Sequence, residues 1–483
     1  MAMVSLSPAA PRALAQAAPL RAAIPSRPRG AAGADAGRVV GGLPASAVAA
    51  LGGAGMLGAG RFKATRRGAH RSTVAGGSDR PRGKVGLSVK ATSSTATATK
   101  APPVVGGKGH KGGRDHDTLH RSASQAVLSN VQAHFVERLE AVSLGGESSK
   151  GDFAEKTWDR DGGAHGGGKR FGVVQSRVFN RASVNYSAVY YDDLPEKAVK
   201  SATALSVIIH PNNPFAPSMH CHFSYTEPRE GAPYWRMISD LNPSIHNPTN
   251  KNRFEKALKD LCPQDLFDDG KLFGDRYFFI PELNMYRGTS HLFLAKVLDT
   301  EMAPDDSRDL AEKLATATID TYTDIVQDML DAHPADSVTE HERELQLAYH
   351  TAYFYQVLFL DCGTTAGLLT HAENDVGTLA SLPTYISPKL LRTWLREKVQ
   401  PPHDLLLRRI LDVLAKSTGA QGGDDVRGLL LSGSGSESDA PCHVTDEVRQ
   451  ALATTVREYY MEDRSRTSAQ ADFDLEWWAK RND

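Results

Sequence analysis

The chain has 483 residues, of which 40% are hydrophobic and 23% charged, so it carries ample material for a core. A formal net charge of -1 gives no global pull toward nucleic acid or an acidic membrane. No apolar run reaches the ~18–20 residues of a membrane-spanning helix, and Cys221, Cys262, Cys362 and Cys442 are too scattered for a disulfide framework or a cysteine zinc site. These bounds describe a soluble enzyme of a reducing compartment.

Met1 to Ser78 carries ten arginines and lysines against one acidic residue, Asp35, in a background of Ala, Ser, Gly and Pro. Basic, acid-poor leaders of this kind are transit peptides. Residues 1–90 are therefore expected to target the chain to a plastid, with the mitochondrion as the alternative, and 91–117 to be a disordered junction. The rest, 118–483, is expected to be one domain with a polar low-complexity insertion at about 417–441.

From Thr118 to Val142 the residues Val127, Val131, Phe135 and Leu139 recur at helical spacing, and Gly145-Gly146 supplies a stop. Trp158 and Arg160 precede a glycine cluster, Gly162 to Gly168. It lacks the lysine ending of a phosphate loop, so it is expected to be a loop whose backbone closely approaches a ligand or another chain. Alternation and β-branched content predict strands at Val173–Val178, Val184–Tyr191, Leu205–His210, Met219–Tyr225 and Trp235–Leu241. Beyond Asn250 the period changes. Helices are predicted over Asn252–Leu261, Asp306–Ala332, Thr339–Gln356, Ser387–Leu414 (broken at Pro401-Pro402) and Thr445–Tyr460. Tyr353–Leu360 is dense enough in apolar and aromatic residues to suit a buried strand. Strands in succession, followed by helices, predict an α+β domain with a large antiparallel sheet flanked by helices.

The chemistry concentrates in Ala204–Pro243. His210 ends one predicted strand, and Pro211, Pro214 and Pro217 shape the turn after it. His220 and His222, two apart, share a face of the next strand, and Asp240 closes the segment. Two readings of these residues stay open. The three imidazoles suit zinc, iron or manganese, with Asp240 as a further ligand. Alternatively the histidines are acid–base groups of a cleft without a metal. No HExxH or GxSxG motif is present.

Several blocks occur in a fixed order: Trp158-Asp159-Arg160 with the glycine cluster, VFNRASVNYSAV (Val178–Val189), SVIIHPNNPFAPSMH (Ser206–His220), SDLNP (Ser239–Pro243), Tyr286-Arg287-Gly288 and Ser381-Leu382-Pro383. In order and spacing they resemble the oxygen-dependent coproporphyrinogen III oxidase family, from about Val131 to Trp394. The resemblance implies a flat antiparallel sheet with helices on both faces, in a homodimer. It implies oxidative decarboxylation of two propionates of coproporphyrinogen III, giving protoporphyrinogen IX for haem and chlorophyll, with dioxygen as oxidant. It implies no organic cofactor and leaves a divalent metal undecided. His220 and Asp240 would be catalytic, Ser206, His222, Ser224, Arg160 and Arg287 would contact substrate, and His210 and His220 would contact any metal. The chain also departs from the family. Asparagine and arginine substrate contacts are replaced by His222 and Ser224, and two family histidines align with Glu255 and Glu282. Those losses imply compensating cations, Arg160, Arg170, Arg181 and Arg287 among them, or an impaired paralogue that binds tetrapyrrole or regulates the active oxidase, or a metal-dependent enzyme of altered chemistry using His210, His220 and His222 with Glu255 or Glu282.

Overall fold

Seven strands form one antiparallel sheet. They are β1 (Ala154–Asp159), β2 (Gly166–Val174), β3 (Phe179–Tyr190), β4 (Val199–Pro211), β5 (Ser218–Pro228), β6 (Tyr234–Asn242) and β7 (Ser290–Leu298). The spatial order is β7-β6-β5-β4-β3-β2-β1, so every chain neighbour is a sheet neighbour. The computed structural model describes residues 116–370, 372–417, 440–463 and 466. The expected leader (1–90), nearly all of the junction and most of the low-complexity insertion lie outside these residues.

Strand periodicity decides what each face does. Leu205, Val207 and Ile209 of β4, Met219, Cys221 and Phe223 of β5, and Trp235, Met237 and Leu241 of β6 all enter one core. That face packs against α1 (His116–Ala141), α2 (Pro248–Lys259) and α4 (Pro304–Ala332). The Val131, Phe135 and Leu139 stripe of α1 and Leu314, Tyr322 and Ile325 of α4 complete the layer. Pro304 at the start of α4 has a preset φ, and Asp305 and Asp306 complement the helix dipole there.

The opposite face is covered by α3 (Gln264–Tyr277), α5 (Glu340–Phe359), α6 (Cys362–Thr370) and α7 (Asp375–Thr378). The expected sandwich, an α+β domain with helices on both faces of the sheet, is what the chain forms. On α3, Gly274 lets the helix lie directly on β7, because a Cβ there would meet His291 Cβ at 2.9 Å. A Thr339–Glu342 capping box starts α5. Behind α5, the helices α8 (Pro388–Glu397), α9 (His403–Ser417) and α10 (Asp446–Glu462) build a second apolar core around Tyr353, Phe354, Leu358 and Phe359.

Two sequence expectations are corrected. Tyr353–Leu360 is not a strand; it is the end of α5, which is buried on every side from Tyr349 to Phe359 and so has no polar stripe to betray its period. The glycine cluster is not a continuous loop either. Asp161–Gly163 is a single 3-10 turn, and Gly166–Gly168 open β2, where a side chain at Gly168 would collide with the Trp158 indole. Strand β1, strand β7 and helix α3 were not anticipated at all.

Candidate active site

Cross-strand register assembles the polar face into rows. Phe293, Ile238, His222, Ser206, Asn185 and Arg170 stand opposite one another in sequence across six strands. The adjacent row is His291, Asp240, His220, Ile208 and Ser183. A cavity of about 250 Å³ lies over these rows, with Ser183, Asn185, Ser206, His220, His222 and Ser224 on its sheet side and Tyr277, Tyr353, Cys362 and Ser381 on its helical side. The polar alternation predicted from the strands is thus the lining of a site.

The most organised part is a buried ion assembly. Asp240 Oδ1 accepts from His220 Nδ1 at 2.7 Å, and Oδ2 accepts from Arg287 Nη2 at 2.5 Å and from Asn242 Nδ2 at 2.7 Å. Arg287 Nη1 donates to Gln356 Oε1 at 2.9 Å, and the guanidinium lies 3.8 Å from the Phe278 ring centroid. Gly288 makes this approach possible, since a Cβ there would sit 2.6 Å from the Leu241 carbonyl oxygen. Burial alone would push the Asp240 carboxyl up, but Arg287 and His220 more than offset this and hold it well below the usual carboxylate range. Asp240 therefore stays ionised. Its Oδ1 orients the imidazole through Nδ1, which also lies 3.1 Å from Arg287 Nη2, so Nε2 is the ring nitrogen outside this assembly. The His220 side chain is 21% exposed and faces the cavity, whereas Asp240 is 0% exposed.

This geometry revises two expected roles. Asp240 is not among the residues that line the cavity, and its oxygens bond His220, Arg287 and Asn242, so in this structure it meets the site through His220 and Arg287. Arg287 does line the cavity, but its charge is committed to Asp240 rather than offered to a ligand.

The expected metal contact by His210 does not fit. Both of its ring nitrogens are used, Nδ1 with Ser218 Oγ at 2.8 Å and Nε2 with the Ser381 carbonyl at 3.2 Å, and the ring is wholly buried. Among the described residues no three His, Cys, Asp or Glu side chains converge as a metal ligand set. Glu255 is held by Lys251 and Lys271, and Glu282 by His403, so neither joins the histidines. The residues present do not fit a metal at the His210–His220 position.

The other expected contacts do come together. Ser206 Oγ bonds His222 Nδ1 at 2.7 Å, and both line the cavity with Ser224 and Arg160. Burial, with Arg236 and His220 nearby, pushes His222 down to about 3, so its imidazole is neutral. Reasoning on motifs missed Arg236. It lies directly across from Ser224 on β6, lines the cavity and is buried beside Phe293. A cation at an in-facing position between Trp235 and Met237 was the available signal. Ser183, Asn185 and Ser187 of VFNRASVNYSAV were also missed, though they alternate with Val184 and Tyr186 as a polar face must.

Comparison with known proteins bears on what this site does. The family model of coproporphyrinogen III oxidase matches residues 123–392. The mitochondrial oxygen-dependent coproporphyrinogen-III oxidase of Rattus norvegicus is 29% identical over 326 residues, covering 62% of this chain and 69% of that protein. The corresponding Mus musculus protein is 30% identical over 288 residues, covering 54% of this chain and 61% of its own length. An oxygen-dependent coproporphyrinogen-III oxidase of Prochlorococcus marinus (strain MIT 9312) is 28% identical over 301 residues, 54% of this chain and 84% of the bacterial one.

Proposed function

The chain belongs to the coproporphyrinogen III oxidase family, and on that premise we propose that it carries out the oxygen-dependent oxidative decarboxylation of coproporphyrinogen III to protoporphyrinogen IX, in haem and chlorophyll synthesis. For each of two propionate arms, the chain of reaction removes carbon dioxide and a hydride equivalent, leaving a vinyl group. Dioxygen takes the hydride equivalent with one proton and leaves as hydrogen peroxide. No organic cofactor enters this balance.

The observation that carries the proposal is the His220–Asp240–Arg287 assembly, set into the wall of a cavity floored by hydroxyl, amide and imidazole groups. His220 exchanges a proton with the bound ring or with the departing peroxide through Nε2. Asp240 orients the ring from below, and Arg287 keeps Asp240 ionised. Ser206 and the neutral His222 supply a donor and acceptor pair to the ligand rather than charge. The same proposal makes the protein a homodimer, brought into a plastid, or alternatively a mitochondrion, by its basic leader.

A second reading is favoured by one observation, the sealed state of Asp240. If the family chemistry requires that carboxylate to meet the substrate directly, this chain is a paralogue that binds a tetrapyrrole, or regulates an active oxidase, without turnover. Aerobic incubation of the full chain with coproporphyrinogen III separates the two. The mono-vinyl intermediate, the di-vinyl product and peroxide are expected. Absence of both vinyl species removes the oxidase reading, and tight porphyrin binding without them establishes the paralogue.

A further inference from the structure

Three arginines outside the His220 assembly gather at the other end of the same sheet face. Arg170 continues the row of His222, Ser206 and Asn185 onto β2, and Arg181 lies two places past Ser183 on β3. Gly172 stands between them on that face. A Cβ there would meet nothing nearer than the Ala182 carbonyl oxygen at 3.7 Å, so a gap remains between the two arginine stems. The third arginine, Arg449, comes from the first turn of α10, beyond the stretch 123–392 that matches the family.

The group holds more positive charge than its surroundings balance. Arg181 and Arg449 are 3% and 4% exposed. Nη1 of Arg170, Nε of Arg181, and both Nε and Nη1 of Arg449 are buried with no hydrogen-bond partner. Arg181 Nη2 reaches the Val444 carbonyl at 3.3 Å, and Arg449 pairs with Asp446, which is largely exposed. Glu447, on the same turn, faces three guanidinium groups together with Asp446, and Asp375 is already taken by Arg457 and Gln450. Burial and repulsion from Arg449 push Arg181 down to about 9. A buried cation with unpaired N–H groups is costly, and an anion relieves that cost.

This cluster lies behind the cavity wall, with Arg170 directly against it. Asn374 and Gly377 belong to the cavity wall, and a Cβ on Gly377 would lie 2.5 Å from Arg170 Nη1. At ~4.8 Å per strand, Arg170 lies three strands, about 14 Å, from His222 in the same row. That distance suits a distal arm of a broad polyacid whose reacting arm is at His220, and is too long for a small acid.

We propose that Arg170, Arg181 and Arg449 form a carboxylate-binding subsite at the β2–β3 end of the cavity, which holds one acid arm of the molecule bound over His220. Guanidinium forks suit a carboxylate through paired N–H donors, and here they are desolvated. The subsite supplies charge to a pocket that has Ser224 in place of an arginine. That the acid arm belongs to a porphyrinogen rests on the function proposed above; the anion site itself does not.

The test measures binding by the full chain of coproporphyrin III, which is the non-reacting oxidised form, of its uncharged tetramethyl ester, and of sodium acetate. Arg449→Gln and Arg170→Gln are each expected to weaken the tetra-acid by about tenfold or more while leaving the ester within twofold. Equal weakening of acid and ester, or no weakening of either, overturns the subsite. Should the wild-type chain bind neither porphyrin, the porphyrinogen reading fails on its own, and acetate decides the subsite. A saturable acetate-dependent rise in Tm that Arg449→Gln abolishes upholds it, and a rise that survives both substitutions, or none in the wild type, refutes it. Arg170→Gln, the less buried position, keeps the test open if Arg449→Gln fails to fold.

Discussion

The two faces of the sheet are made by the same strands, and adjacent residues serve opposite ends. On β5, Met219, Cys221 and Phe223 are sealed against α1 and α4, while His220, His222 and Ser224 between them line the cavity. On β6, Trp235 and Met237 enter the core and Arg236 faces the ligand side. The apolar face holds shape through burial, which is insensitive to exact chemistry so long as volume is kept. The polar face holds charges and hydrogen-bonding groups that contribute little to folding unless they are sealed, as Asp240 is. Period-two alternation lets one segment do both, and it lets the ligand-facing residues change without cost to the core.

The contrast can be broken or sharpened by substitution on either side. Trp235→Ala, on the apolar face, is expected to lower unfolding free energy by about 3–5 kcal/mol in chemical denaturation. Porphyrin affinity of the folded fraction should be unchanged, and a loss of affinity equal to the loss of stability would erase the distinction between the faces.

Asp240→Asn belongs to the polar face yet should behave like a core substitution. It leaves Arg287 buried without its partner, and a cost of about 3–5 kcal/mol at pH 7 is expected. The sign with pH follows from the depressed carboxyl. Its contribution is present above the ordinary carboxylate range and is lost as pH falls through its folded pKa, so variant and wild type should converge in acid. Parallel stability curves down to low pH would mean that the ion assembly is not what stabilises Asp240.

His350, buried in α5 beside the His210 ring, is pushed down to about 3 by burial. A histidine depressed in the folded state stabilises fully above its unfolded pKa near 6.5 and progressively less as pH falls toward 3. His350→Phe is therefore expected to remove about 2 kcal/mol of the stability lost between pH 7 and pH 5. An unchanged acid slope would show that His350 takes up its proton without unfolding. The smallest effect is expected for Ser206→Ala, about 1 kcal/mol or less for its bond to His222, with the change visible chiefly in porphyrin affinity.

Much of this molecule is legible in its sequence, and the illegible parts have physical reasons. Alternation exposes β3 to β6 because one face is apolar and the other polar. β1 (AEKTWD) is a largely exposed edge with a weak apolar signal, and α3 carries Gly270 and Gly274, which look like breakers but serve to seat the helix on β7. The end of α5 is hidden for the opposite reason, since its apolar residues occur on all sides. In the site, the grouping of Ser206, His220, His222 and Ser224 follows from strand spacing alone. The burial of Asp240 does not, because its partner Arg287 is 47 residues away and reaches it only through the turn at Gly288. Arg449 is more distant still, and no local pattern relates it to Arg170 or Arg181.

Unfolding free energy and aerobic coproporphyrinogen III turnover, measured side by side on the wild type and His220→Asn, test the division between the faces most directly. His220 faces the cavity from a strand whose intervening residues make the core. The substitution is expected to change stability by about 1 kcal/mol or less and to lower turnover about a hundredfold or more. A variant that turns over coproporphyrinogen III at the wild-type rate, or one that loses turnover only because it no longer folds, would contradict the assignment of the polar face to chemistry.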